Sequence, residues 1–333
     1  MIYDVNGHVV GAEGMSAAMQ QALLDLSESV AYINDNGPEC YQAFYDEMYP
    51  NRELESIAAV LNLGCYTVMA GDNVERLRPY IKVTASYGDG YTSDIKDFTL
   101  SGTIASGSNT VTVGYMGETA TVTATAVNAL PSGYTRLEYV YTDGRQYINP
   151  SLNSDDVDFA EYEVMVRSQW FNKGGNILSS DNCKFPYLSG DNTNGFRSRI
   201  QFNHAGNGDN KVSSGSYLFP WSFDERHTLS GFGSGGSVAV DGVQLFAVPR
   251  GSAASDALYI FAGGASRIVD GMPNESYAFM GRLYGMKLYK NSTLIRNYIP
   301  CKDSTGEAGL YDLVTNTFLK SASEKKLLRG GEV

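Results

Sequence analysis

In the run Glu161-Tyr162-Glu163-Val164-Met165-Val166-Arg167, Tyr162, Val164 and Val166 fall on one side while Glu161, Glu163, Met165 and Arg167 fall on the other. A period of two is that of a β-strand with one face against a core. Phe196, Ser198, Ile200 and Phe202 alternate in the same way with Arg197, Arg199, Gln201 and Asn203. Val238-Ala239-Val240-Asp241-Gly242-Val243 reads as a hairpin turning on Asp-Gly. Short strands of this kind, separated by Gly, Asn, Asp and Ser turns and with no helical period between them, continue through residues 131–330. The pattern predicts an antiparallel β-sandwich of the jelly-roll type.

Working back towards the N-terminus, Asn128-Ala129-Leu130-Pro131-Ser132-Gly133 reads as a linker. Before it, residues 78–128 carry a second β unit. Tyr80–Ser86 is strand-like, Gly88-Asp89-Gly90 is a turn, and Asp97–Ser101 begins another strand. Asn109–Tyr115 and Thr119–Val127 alternate Thr with Val or Ala and join through Met116-Gly117 as a hairpin. Residues 1–77 read as a small helical unit. Met15, Met19, Ala22, Leu26 and Ile33 follow a coiled-coil rhythm that stops at Asn36-Gly37-Pro38. Tyr41, Phe44, Tyr45 and Met48 share one helical face, and so do Leu54, Ile57, Ala58 and Leu61. Such stripes serve core packing, or, for the first of them, self-association and docking.

The charge follows these divisions. The 333-residue chain has a formal net charge of −12, and residues 1–77 hold 12 acidic but only 2 basic side chains. The remainder is nearly neutral, so the acidity marks the first quarter as a separate unit. Without a basic run, the phosphate contacts of nucleic-acid binding have no source, and adhesion to anionic lipid is disfavoured. The opening residues have neither a basic nor an apolar stretch of the secretory kind, and no run reaches the ~18 apolar residues of a membrane span. Cys40, Cys65, Cys183 and Cys301 are far apart. Buried free thiols are expected rather than a zinc ribbon or a disulfide scaffold.

Two stretches resemble known families. Gly88-Asp89-Gly90, Leu100-Ser101-Gly102, Gly107-Ser108-Asn109-Thr110-Val111-Thr112-Val113 and Thr119-Ala120-Thr121-Val122 resemble bacterial immunoglobulin-like modules, which implies a spacer such as surface and virion proteins carry. Leu130-Pro131-Ser132-Gly133-Tyr134-Thr135-Arg136-Leu137-Glu138-Tyr139 with Gln146-Tyr147-Ile148 resembles the opening of concanavalin A-like (laminin-G-type) domains of phage and gut-bacterial surface proteins. Gly281-Arg282-Leu283-Tyr284, Lys287-Leu288-Tyr289, Leu294–Asp303 and Gly309-Leu310-Tyr311-Asp312-Leu313-Val314 are similar to the far end of such domains. The resemblance implies a place on a tail fibre, baseplate or head appendage and binding to surface glycans. Tyr3-Asp4-Val5-Asn6-Gly7 also looks like the start of phage structural proteins.

Several constellations compete as sites. Glu161 and Glu163 are one strand period apart, roughly 6.5–7 Å, within the span of general acid–base pairs in glycosidases. Asp158 falls on the opposite face, so three carboxylates do not line up as in glucanases of this fold, and solvated strand residues are the simpler reading. Trp170, Tyr187 and Trp221, with Asn203 and His204 nearby, would make a sugar platform of aromatic faces and hydrogen-bonding groups; Trp is equally a sandwich core residue. The oxygen-rich stretches Asp191-Asn192-Thr193-Asn194 and Asn203–Asn210 suit turns, or a Ca²⁺ held by Asp191, Asn194 and Asp209. His8, His204 and His227 have no ligand spacing, and His227 alternates with Leu229 as a core residue would. Gly231-Phe232-Gly233-Ser234-Gly235-Gly236 has the glycine spacing of a dinucleotide loop but is followed by a strand where a helix is required.

The expectation is a non-enzymatic phage virion protein in three parts. An acidic helical anchoring or oligomerisation unit (1–77) contacts other virion proteins, with a homotrimer favoured. An immunoglobulin-like spacer (78–128) follows, and a sandwich (131–330) binds host or mucosal glycans on the particle surface. No cofactor is required, Ca²⁺ is optional, and neither nucleic acid nor membrane insertion is involved. A head decoration without a specific ligand and a glycan hydrolase using Glu161 and Glu163 are the alternatives.

Overall fold

The computed structural model describes residues 2–3, 9–11, 53–166, 176–181, 183–190, 198–204, 217–219, 225–232, 236–248, 255–274 and 278–333. The chain divides into two compact units. One comprises Met1–Ala59, Lys82–Thr99 and Val113–Ala120; the other comprises Val60–Ile81, Leu100–Thr112 and Thr121–Val333.

The larger unit is an antiparallel β-sandwich. One sheet has 11 strands; along its main path, Val243–Val248, Gly236–Val240, His227–Phe232, Phe159–Val166, Met280–Lys290, Thr293–Lys302, Ala308–Asp312 and Thr317–Lys320 lie in that order. The second has five: Tyr217–Phe219, Ser198–His204, Cys183–Gly190, Leu178–Ser179 and Tyr259–Ile260. Between them Tyr162, Val164, Val166, Leu229, Val238, Val240, Leu283 and Leu288 meet Ile177, Leu178, Leu258, Ile260 and Phe261 in one apolar core. The alternation that opened the sequence reading therefore points as expected, with Tyr162 and Val164 fully buried. Asp241-Gly242 makes the expected hairpin, and both residues have the positive φ of a type I′ turn. After the glycine-rich stretch comes the Gly236–Val240 strand, not a helix.

Upstream, Leu54–Leu61, Ile81–Tyr87 and Thr92–Ile95 form one three-stranded sheet, and Thr99–Ser101, Gly107–Tyr115 and Glu118–Ala126 another. Val111, Val113, Val122 and Ala124 are buried and the intervening threonines are more open, as period two requires. Met116 and Gly117 form the expected tight turn, with φ of 47° and 96°.

The helical reading of residues 1–77 fails where it is described. Leu54–Leu61 is a β-strand, not a helix with Leu54, Ile57, Ala58 and Leu61 on one face. Eight residues give little more than two helical turns, too few to be stable in isolation, and the neighbouring strand Ile81–Tyr87 offers a ladder along one edge. Ile2–Tyr3 and Val9–Gly11 also pair as strands. The first two stripes, including Met15, Met19, Ala22, Leu26 and Ile33, lie outside the described residues.

Residues 62–80 run as a strap over the outer face of the large sheet, held by polar contacts and one apolar cluster. Arg136, almost buried, donates to the Asp72 carboxylate at 2.7 Å and to the Thr67 carbonyl at 2.8 Å. Asp72 also accepts from Arg76 at 3.0 Å and from the Met69 backbone N–H at 2.9 Å. Thr67 donates to Asn297 at 3.1 Å, and Lys287 to the Gly64 carbonyl at 3.2 Å. Met69 packs with Ile299, Cys301 and Tyr311. Removing one partner of a buried ion pair strands the other charge, at a cost of about 3–5 kcal/mol. Asp72→Ala is therefore expected to lose about 3 kcal/mol of stability in chemical denaturation. A loss below about 1 kcal/mol would mean that the strap is not held by this pair.

Candidate functional site

On the face of Phe159–Val166 opposite the core lie Glu161, Glu163 and Met165. The strand is flanked by His227–Phe232 and Met280–Lys290, with Glu163 opposite Thr228 on one side and Gly285 on the other. Glu163 is only 4% exposed, which demands hydrogen-bonding partners for its carboxylate. The Tyr80 hydroxyl, from the strap, lies 3.1 Å from both carboxylate oxygens, and Arg226 Nη1 stands 3.3 Å from the Tyr80 oxygen and 3.6 Å from Glu163 Oε1. Burial pushes the Glu163 carboxyl above the usual range, against the opposing pull of Arg226 and the Tyr80 hydrogen bond. The same burial, and the Glu163 charge, push the Tyr80 phenol up as well. Glu161 accepts from the Tyr289 hydroxyl at 3.2 Å, and burial with that carboxylate raises the Tyr289 phenol to about 12.

Each carboxylate thus has its own tyrosine, and Glu163 is closed beneath the strap. A glycosidase pair needs a sugar ring between the two carboxyls, with access for water. Glu161 and Glu163 share the expected face, but Glu163 is buried and covered by Tyr80, so it offers no such opening and fits a structural latch.

Beside the latch, the same face carries four stacked side chains. The Arg226 guanidinium lies over the Tyr284 ring, 3.7 Å from its centroid. Tyr284 meets Tyr139 edge-on, with centroids 5.5 Å apart. Arg282 lies over Tyr139 at 4.2 Å. Arg282 and Tyr284 are two apart on Met280–Lys290 and so project to one side, with Met165 opposite Arg282 and with Val140–Asp143 pairing along the other edge. On its other side Tyr139 is approached by the backbone at Gly330, where a Cβ would come within 2.8 Å of the ring. One face of each ring is thus covered by a guanidinium, and both arginines are partly exposed. Arg226 is 31% exposed and Glu138, its carboxylate 3.6 Å from Nη2, is 45% exposed. Among the described residues, no carboxylate forms an ion pair with Arg282.

His227 is buried as its alternation with Leu229 implied, and its Nδ1 lies 2.7 Å from the Asp241 carboxylate. Asp241 also accepts the Thr228 backbone N–H at 2.8 Å, so it ties the turn to the adjacent strand. Cys65 and Cys301 are buried free thiols, as expected; burial holds both well above the ordinary thiol range, Cys301 at about 12. Among the described residues, no group of three or more His, Cys, Asp or Glu could hold a metal ion, and no helix is long and apolar enough to cross a membrane.

The residues of the expected sugar platform are described only in part. Tyr187, Asn203 and His204 lie in strands, not loops. Tyr187 is opposite Gln201, Asn203 opposite Lys184, and His204 opposite Cys183. Pro186, which has no N–H to give a ladder, falls where the register shifts between Lys184 and Tyr187, and this interruption hid the strand from a reading based on turn residues. Trp170 and Trp221, and the calcium candidates Asp191, Asn194 and Asp209, lie outside the described residues. The Tyr139–Arg282–Tyr284–Arg226 cluster went unnoticed, although Arg282 and Tyr284 sit in a quoted motif. Arg226 and Tyr139 are far from them in sequence, and only the sheet brings the four together.

The sequence matches no protein-family model and no curated protein. Among solved structures, a proposed carbohydrate-binding protein from Bacteroides ovatus is similar at 11% identity over 87% of this chain and 86% of that one, with a TM-score of 0.35.

The raised carboxyl makes a pH test possible. Glu163→Gln keeps an acceptor for Tyr80 and removes the charge. With its folded pKa above the unfolded one, Glu163 binds a proton more tightly in the native state. The wild type should therefore lose stability relative to the variant as pH rises from about 4.5 through the raised value. Denaturation of both proteins between about pH 4 and pH 8 reads this difference. A constant gap across that range would mean that Glu163 titrates as an ordinary carboxyl.

Proposed function

We propose that this chain is a non-enzymatic adhesion protein of a phage particle, a tail fibre or appendage that binds host or mucosal surface saccharides through its sandwich. The observation that carries the binding part is the Tyr139–Arg282–Tyr284–Arg226 cluster. Its guanidinium donors are held in place by aromatic rings on a rigid sheet and remain partly open to solvent. Preorganised donors of this kind suit hydroxyl- and carboxyl-rich ligands, because little side-chain entropy is lost on binding. The closed Glu163 latch favours binding over hydrolysis. The resemblance of residues 130–148 and 281–314 to laminin-G-type domains, now joined by a sandwich fold, supports the same assignment.

The virion setting rests on the resemblances and the modular order alone. An acidic anchoring part comes first, an immunoglobulin-like spacer next, and the sandwich last. Weak single sites would then act together through multivalency, most simply in a trimer assembled through the Met15–Ile33 stripe. Sedimentation at micromolar concentration is expected to give a trimer, and a monomer would remove the assembly part. A saccharide array probed with the whole chain, with and without Ca²⁺, is expected to show binding that Trp170→Ala or the Arg226 and Arg282 variants weaken. A blank array under both conditions would favour a decoration protein without a specific ligand.

A further inference from the structure

We infer that the stacked cluster on the outer sheet face is a site for a carboxylate-bearing saccharide, a uronic or sialic acid residue, with Arg282 as its principal ligand-binding group. The inference rests on the saccharide-binding reading above and specifies its ligand.

In common sugar sites an aromatic ring offers an open face to the C–H groups of a pyranose. Here that face is not offered. Tyr139 lies between the Gly330 backbone and Arg282, and Tyr284 lies beneath Arg226. What faces outward is a pair of planar cations with their N–H groups at the rim. The natural partner of a guanidinium plane is a planar carboxylate, bound by parallel N–H···O contacts.

The charges around the cluster separate the two arginines. Arg226 is engaged from below by Glu163 and Tyr80 and from the side by Glu138. Glu163 is buried and already accepts from Tyr80, so it cannot turn outward. Arg282 lies over Tyr139 and beside Tyr284 and feels the Glu138 charge, but among the described residues it forms no ion pair with a carboxylate. Glu138 is therefore the exposed carboxylate at the rim. At 3.6 Å from Arg226 its contact is long, and at 45% exposure it is free to yield. It shows that a guanidinium of this cluster takes a carboxylate at its rim, and its charge opposes the approach of an anionic ligand to Arg282. With two guanidiniums set against two carboxylates the local charge balances. A monoanion held by the open Arg282 is tolerated there, while a phosphate dianion would meet Glu138 at close range.

Two substitutions should therefore act in opposite directions. Arg282→Gln keeps a planar donor group and removes the cation; it is expected to weaken binding by about tenfold or more, the scale of a lost charge-assisted hydrogen bond. Glu138→Gln removes the competing charge and should tighten binding by about two- to fivefold. The probes are 3′-sialyllactose against lactose, and tri-galacturonic acid against its methyl ester, with a sulfated lactose as the other anion. All are titrated into the whole chain at low and high salt, with thermal melts of both variants as folding controls. Binding of the two carboxylate probes over their neutral counterparts, lost in Arg282→Gln and strengthened in Glu138→Gln, is the expected result. Equal binding of neutral and acidic probes, or acidic binding indifferent to Arg282→Gln in a folded variant, overturns this inference and leaves the saccharide-binding reading standing. Preference for the sulfated probe also overturns it. No binding of any probe overturns this inference, and only a blank saccharide array as well overturns the wider reading.

Discussion

A carboxylate at 4% exposure in the middle of a sheet must be hydrogen-bonded or neutral, and Glu163 imposes that condition on everything around it. Its strand has one face in the sandwich core, so the carboxylate can be served only from the opposite face. Tyr80 reaches it from the strap and Arg226 from the segment entering the next strand. Placing Arg226 there lays its guanidinium on Tyr284, and Tyr284 in turn sets the edge contact with Tyr139. The latch and the candidate binding cluster are thus one connected network. A partly satisfied network of buried polar groups costs more than an apolar surface, which is why the strap needs its other anchors, Asp72 with Arg136 and Thr67 with Asn297.

The strap also changes what the acidity of the first quarter means. Read as charge alone, residues 1–77 look like a separate body with a surplus of negative groups. Asp72 belongs to that surplus, yet it is spent internally, between Arg76 and Arg136 at the edge of the sandwich. Arg136 itself comes from the far side of the linker motif. Charges that pair on folding add little to the field beyond them, so Asp72 is no part of a negative surface presented to solvent.

The sandwich was legible because its signal is local. Tyr162, Val164 and Val166 need only their own neighbours to announce a buried face, and Asp241-Gly242 needs only itself to announce a turn. The Met116-Gly117 hairpin was legible for the same reason. Leu54–Leu61 was misread because eight residues satisfy both periods, and pairing with a distant strand decided between them. The Cys183–Gly190 strand was hidden by Pro186, whose cost is absorbed at a register shift that no local pattern reveals. The cluster was invisible for a third reason. Tyr139, Arg226, Arg282 and Tyr284 span almost 150 residues of chain, and each alone is an ordinary strand or loop residue.

A ring face covered by a guanidinium suits a different kind of recognition from an open one. An open tyrosine selects for apolar sugar faces and tolerates many stereoisomers. A tyrosine capped by a guanidinium serves instead as a support that fixes the plane of the cation, and selection passes to the ligand's charge. Fixing an arginine before binding removes much of the entropy its long side chain would otherwise lose, so one well-held guanidinium can discriminate where a mobile one would not. A single contact of that strength still gives only modest affinity in water.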